Sequence, residues 1–293
     1  CHLVDLLLSP SELRAVQALR LQPRRTVAGR QRGERVSRRK GVSIEFADYR
    51  DYTDGDDLRH LDWNVMARLG QAVMKTYQDE EDLTVYLLVD PSRSLDFGEP
   101  TKHRAVRRVG LGLAMAALLR GDAVRPVVIG EAHRATRTFR GRAGYTAVSQ
   151  MIAKAPYQRS HDLAQSLRQF AEVDLRSGVV IVLTDAMDPQ YTTALRALAS
   201  RGHEVWTLCM LSPEERDPEL EGDLRLVDAE TGPPREITAN RATIEAYRAA
   251  LDAHLNEVRK VSLAVGGRFA EVTTDMDWHT IFHRVLRKEG WVA

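Results

Sequence analysis

A chain of 293 residues with 42 basic and 41 acidic side chains has a formal charge of +1, so no overall field draws it to nucleic acid or to an anionic membrane. Its length allows one large or two smaller domains with a sizeable core, and 28% charged and 43% hydrophobic residues are the proportions of an ordinary soluble protein. Two cysteines, Cys1 and Cys209, give neither a disulfide framework nor a zinc spacing. The longest apolar run, Val109 to Leu119, is too short to span a bilayer, and the expected setting is cytoplasmic.

Ser9-Pro10-Ser11-Glu12 reads as a helix start, with Leu13, Val16 and Leu19 as its apolar stripe. A basic run extends from Arg24 to Lys40, with Gly29, Gly33 and Gly41 and little to bury. It reads as a long loop or arm, either simply solvated or docking something acidic. Residues 44 to 52 alternate in part, Gly55-Asp56-Asp57 is a turn, Leu58 to Arg68 is expected as a helix with Leu58, Leu61, Val65 and Met66 inward, and Val73 to Tyr77 as a strand. The many Asp and Arg beside Tyr and Trp imply a charge-paired network. Residues 1–82 are thus expected as an N-terminal region that packs on the remainder of the chain.

From Leu83 strands and helices alternate. Val85-Tyr86-Leu87-Leu88-Val89 runs straight into Asp90 and Pro91, the pattern of a strand buried on both faces of a parallel sheet. Lys102 to Arg120 is a helix apolar nearly all round, in which Gly110 and Gly112 signal close packing. Val124 to Ile129 is a strand, and His133 to Phe139 an antiparallel edge strand. Helices are expected over Tyr145–Ala155, Asp162–Val173 and Tyr191–Ser200, and strands over Val179–Asp185 and Glu204–Leu211. A hairpin turns at Thr231-Gly232-Pro233-Pro234. Asn240 caps a long helix with Ile244, Tyr247, Leu251, Leu255, Val258 and Val261 on its inner face, Arg268 to Val272 is the last strand, and Trp278 to Leu286 the last helix. This alternation predicts an α/β, doubly wound, mostly parallel sheet over residues 83–293, preceded by an N-terminal extension.

Two strands end in carboxylates, Asp90 and Asp185. If they are neighbours, both face one crevice, with Ser92 and Ser94 of Asp90-Pro91-Ser92-Arg93-Ser94 beside them. Hard oxygens so grouped suit Mg²⁺, and Mn²⁺ or Ca²⁺ could substitute. The plain alternative is that the serines only cap the next helix and bond the loop backbone. The D-x-S-x-S pattern resembles the metal-ion-dependent adhesion site of von Willebrand factor A domains. That resemblance implies a further Thr near residues 159–163, where this chain has Arg159-Ser160-His161-Asp162-Leu163; Ser160 and His161 are the candidates there, and imidazole suits Mg²⁺ poorly.

Glu45-Phe46, Asp48-Tyr49-Arg50-x-Tyr52, Gly55-Asp56-Asp57-x-Arg59, Asp62-Trp63 and Ala67-Arg68 resemble the bacterial family called domain of unknown function 58, as do Phe97-Gly98 with Lys102 and the segment Asp228-x-Glu230-Thr231-Gly232. The resemblance implies a von Willebrand factor A-like, Rossmann-like domain and a non-enzymatic, adaptor or chaperone-like partnership with a MoxR-type AAA+ ATPase and other protein clients. On it, Asp90, Ser92, Ser94 and Asp185 hold a metal, and Arg50, Asp56, Asp57 and Arg59 are a second partner-binding set. The alternative class is a metal-dependent hydrolase built on the Asp90/Asp185 crevice, for which no nucleophile with its base is evident. Nucleic acid is disfavoured, because the basic arm lacks aromatic side chains.

Overall fold

The structure, a computed structural model, describes residues 8–24, 45–53, 61–78, 83–129, 137–155, 162–227 and 234–293. The chain forms two compact units, Cys1–Val27 with Leu83–Ala293, and Ala28–Asp82. Helix α1 (Pro10–Gln17) opens on Ser9, whose side chain and Glu12 form a reciprocal capping box. On sequence it falls in the N-terminal region. In the structure it belongs to the α/β unit, since Val16, Leu19 and Leu21 are core residues there.

The smaller unit has strand β1 (Glu45–Asp51), helix α2 (Trp63–Leu69) and strand β2 (Val73–Gln78). β1 and β2 pair antiparallel with an irregularity between Phe46 and Asp48. The helix expected from Leu58 starts later. Asp62 is its N-cap and accepts from the Asn64 and Val65 amides, and Leu61 instead makes an antiparallel bridge with Met74. That late start turns Met66 outward, 39% exposed, where the sequence had it inward; Leu58 lies outside the described residues. A two-stranded sheet is marginal on its own. A fragment of residues 28–82 is therefore expected to show no cooperative thermal transition by circular dichroism, and a sharp two-state melt would contradict this.

The larger unit carries a five-stranded sheet of β3 (Thr84–Val89), β4 (Ala123–Val128), β5 (Val179–Thr184), β6 (Glu204–Leu211) and β9 (Arg268–Thr273) in the order β4-β3-β5-β6-β9. Every pair is parallel. Both faces are covered, which is why these strands read as continuous apolar runs instead of alternating. Val85, Leu87, Val89, Val179, Ile181 and Leu183 pack on one side with helices α3 (Lys102–Leu119) and α4 (Gly144–Ala153) and the C-terminal segment. Tyr86, Leu88, Val180 and Val182 pack on the other with α5 (Leu163–Glu172) and α6 (Tyr191–Ser200). The expected fold class, α/β with a doubly wound parallel sheet, is the one the structure has.

The glycines of α3 act as expected. A Cβ on Gly110 would lie 2.4 Å from Leu183 Cδ1, and one on Gly112 2.6 Å from Phe282 and Trp278. Beyond β6 come a four-residue helix α7 (Pro213–Arg216) and the hairpin strands β7 (Gly222–Leu226) and β8 (Arg235–Ala239), paired antiparallel; the turn at Thr231 lies outside the described residues. Asn240 caps α8 (Arg241–Ala264), which buries Leu251, Leu255, Val258 and Val261. Tyr247, expected inward, is 41% exposed because its hydroxyl reaches out to donate to the Glu215 carbonyl. The edge strand expected over His133–Phe139 appears as an antiparallel bridge of Phe139 with Val124, residues 130–136 being outside the described set. The last helix is present as expected, with Thr280–Leu286 in π-helical form, and it buries Ile281, Phe282 and Leu286.

Candidate functional site

From β3 the chain runs out to β4 at one edge and returns on the other side of β3 as β5. The reversal makes the carboxyl ends of β3 and β5 the switch point, where doubly wound sheets place their ligands. Asp90 follows β3 and Asp185 follows β5, and the Asp90 amide bonds the Leu183 carbonyl at 3.1 Å. The neighbour relation that the sequence left conditional is therefore real.

Asp90 is 1% exposed and closely held. Its Oδ1 accepts from the Ser92 amide at 2.9 Å, and its Oδ2 from the Thr184 hydroxyl at 2.6 Å. The Ser92 and Ser94 hydroxyls lie 3.2 Å apart. Burial, with the Asp185 charge adding to it, pushes the Asp90 carboxyl up to about 6 against the hydrogen bonds from Ser92 and Thr184. Thr184 is itself fixed, because its Oγ1 accepts from the Ala186 amide at 3.0 Å. Ala186 has φ 58, the left-handed region that a residue with a Cβ seldom adopts, and its carbonyl accepts from His254 Nε2 at 2.8 Å.

Asp185 has a different partner. Its Oδ2 accepts from Lys102 Nζ at 3.0 Å and its Oδ1 from the Met187 amide at 3.3 Å. The Lys102 ammonium also donates to Glu215 Oε1 at 2.6 Å. Lys102 is the first residue of α3 and 1% exposed. Burial alone would lower its affinity for the proton, but Asp185 and Glu215 together outweigh that and raise it. Glu215 is the capping residue of α7: the Ser212 amide bonds its Oε2 at 2.9 Å. The ends of β5 and β6 thus bring Asp185 and Glu215 to the ammonium of Lys102, while Asp90 at the end of β3 neighbours Asp185.

The donor set can be compared with what a hard cation requires. Adjacent ligands of an octahedral ion at 2.0–2.1 Å stand about 3.0 Å apart, close to the 3.2 Å between the Ser92 and Ser94 hydroxyls. The two serine hydroxyls therefore fit as neighbouring ligands, with the Asp90 carboxylate held beside them by the Ser92 amide. Asp185 lies beside them but is engaged with Lys102. No group of three or more His, Cys, Asp or Glu side chains among the described residues is arranged to hold a metal. Ser160, His161, Asp56, Asp57 and Arg59 lie outside the described residues, and Arg50 is placed only as a backbone position in β1. Asp62, of the Asp62-Trp63 motif, is a helix cap. Cys209 is a buried thiol: burial raises it well above the ordinary thiol range, and it donates to the Asp185 carbonyl.

Sequence reasoning missed Thr184, Glu215 and the role of Lys102. For Glu215 a signal existed: Ser212-Pro213-Glu214-Glu215 repeats the Ser-Pro-x-Glu helix start of Ser9-Pro10-Ser11-Glu12.

These features define a doubly wound α/β protein with an acid-and-hydroxyl cluster at its switch point. The chain belongs to the family described as Protein of unknown function DUF58, whose model matches residues 48–257. It is 30% identical over 295 residues to Uncharacterized protein Rv1480 of Mycobacterium tuberculosis and to Uncharacterized protein Mb1516 of Mycobacterium bovis, a match covering 97% of this chain and 92% of each relative. Among solved structures it is similar to the conserved hypothetical protein BatB from Bacteroides thetaiotaomicron, with a TM-score of 0.41, 15% identity, and coverage of 65% of this chain and 90% of that one. It is also similar to an aerotolerance-related membrane protein from Bacteroides fragilis, with a TM-score of 0.41, 13% identity, and coverage of 71% and 98%. No helix among the described residues of this chain is long and apolar enough to cross a membrane.

Proposed function

We propose that this chain is a non-enzymatic protein-binding module of the von Willebrand factor A type, an adaptor for a MoxR-type AAA+ ATPase that meets its partner at the carboxyl end of the sheet. The observation that carries the reading is the switch-point cluster itself: a buried Asp90, oriented by Ser92 and Thr184, with two serine hydroxyls at ligand spacing. Among the described residues, Asp185 and Glu215 share the ammonium of Lys102 and Asp90 adds a third carboxylate beside Asp185, which leaves negative charge for a cation to neutralise. Mg²⁺ would be held by Asp90, Ser92 and Ser94, and when bound it supplies an electrophilic position for a partner's carboxylate. The chain's own part is to hold those oxygens in place. The Ser92 amide and the Thr184 hydroxyl fix both oxygens of Asp90, and the bond between Thr184 and Ala186 fixes Thr184.

A binding role is favoured over the hydrolase alternative by the surroundings of His103, the residue next to Lys102 in the sequence. His103 is fully buried, its Nε2 stands 3.3 Å from Arg107 Nη2, and burial with that guanidinium pushes it down to about 3, which ill suits a general base. The test is calorimetry of the chain with a MoxR-type ATPase in Mg²⁺, with and without chelator, for the parent protein and for Asp90→Ala. Binding is expected to weaken at least about tenfold in each altered condition, the scale of losing a desolvated charged contact. Unchanged affinity in both would remove the sheet end from the interface, and absence of any complex would remove the ATPase as partner.

A further inference from the structure

The Lys102 side chain comes from the N-terminal turn of α3, where the helix dipole disfavours a cation. It is buried as completely as the core leucines, yet it carries a charge. Both costs are offset by two carboxylates delivered from two other strand ends. Asp185 arrives from β5, and Glu215 arrives from α7 beyond β6, at 3.0 and 2.6 Å. Neither acid is adaptable: the capping box fixes Glu215, and the Met187 amide takes the second oxygen of Asp185. The ammonium is therefore clamped on Asp185, the acid that neighbours Asp90 and would otherwise be the second carboxylate of that site.

From this geometry we infer that Lys102 is the resident cation of the sheet end and sets its affinity for divalent metal, by holding Asp185 as its own partner and leaving only Asp90, Ser92 and Ser94 to a metal. The inference rests on the metal ligands assigned under the proposed function, and adds a residue that controls them. An ammonium beside the site repels an incoming dication, and it also takes up the charge that Asp185 would offer. Removing it reverses both effects. At an effective dielectric of about 20, a neighbouring unit charge is worth roughly ten- to hundredfold in the affinity for a cation. Weak binding would then be built into the site, and the metal would be held firmly only when a partner carboxylate joins it.

The experiment is a Mn²⁺ titration of the free chain, read from the electron paramagnetic resonance signal of unbound Mn²⁺, after chelator treatment and dialysis. The proteins are the parent, Lys102→Met, and the double variant Lys102→Met/Asp185→Asn, each checked for folding by circular dichroism. Lys102→Met is expected to bind Mn²⁺ roughly ten- to hundredfold more tightly than the parent. The double variant, which removes the ion pair as a neutral unit, is expected to bind like the parent. If Lys102→Met binds no more tightly, the inference is overturned, and this includes the case in which neither protein binds at all. If the double variant loses binding that the parent shows, Asp185 is a ligand in the parent and the inference is likewise overturned. Should Lys102→Met not fold, the double variant decides alone. None of these readouts involves the ATPase, so failure here and failure of the proposed partnership are separate results.

Discussion

Lys102→Ala is expected to destabilise the α/β unit by about 3–5 kcal/mol, the usual cost of removing one member of a buried ion pair. Asp185 and Glu215 would be left without the ammonium that both bond, and the shortened side chain would leave a cavity at the junction of three strand ends. Much of that cost comes from Asp185, 4% exposed, whose Oδ2 would lose its ammonium partner while still buried. Urea unfolding at pH 7 in the presence of chelator measures it: the midpoint should fall with the slope unchanged. A loss below about 1 kcal/mol would place the pair among weakly coupled surface bridges. Lys102→Met/Asp185→Asn should lose much less than the single variant, because no unpaired charge remains on that side.

The second large effect is an acid sensitivity located at His103. Burial, reinforced by Arg107, pushes this imidazole down to about 3. Arg107 Nη2 lies 3.3 Å from Nε2, where a neutral ring accepts, and Arg107 is held in turn by the Ala155 carbonyl at 2.8 Å. The unfolded chain binds a proton here near pH 6.5 and the folded chain does not until about 3, so the neutral ring favours the fold above pH 6.5 and this preference is lost as pH falls through that window. Across the whole interval the loss from this one group approaches about 4–5 kcal/mol. His103→Gln keeps an acceptor for Arg107 and cannot be protonated. It is expected to flatten the pH dependence of the unfolding free energy between pH 6.5 and 4 relative to the parent, measured in chelator. Equal slopes for the two proteins would mean that His103 charges freely within the fold.

Part of this arrangement was legible because it is written locally. Apolar runs that end in an acid gave β3 and β5, and covering both faces of the sheet is what makes such runs continuous. Asn240 before a long amphipathic stretch gave α8. The cluster of Asp90, Ser92 and Ser94 could be read because its carboxylate and two hydroxyls sit within five residues. Lys102 and Glu215 could not be joined to it in the same way. Their meeting with Asp185 depends on where three strand ends lie, and strand order is a property of the whole sheet. Thr184 was hidden for another reason: it closes an apolar run and reads as a strand residue, although its hydroxyl holds the neighbouring strand's acid. The errors are also local. Met66 and Tyr247 were assigned by helical periodicity, but the cap at Asp62 moved one helix start, and a polar partner drew Tyr247 outward.

Leu21 bridges Val292, and the Arg20 and Ala293 backbones exchange hydrogen bonds at 3.2 and 3.0 Å. Nearly the whole sequence lies between these partners, including the separate unit Ala28–Asp82. Closing so long a loop delivers its contacts only after most of the chain is in place. The segment Arg20–Leu21 must therefore wait for these partners while the rest of the domain is synthesised. During that interval it is the natural recognition point for a general chaperone. Trp206 and Trp291, their rings tilted against each other with centroids 5.0 Å apart, would report completion of this closure as a late change in intrinsic fluorescence during refolding.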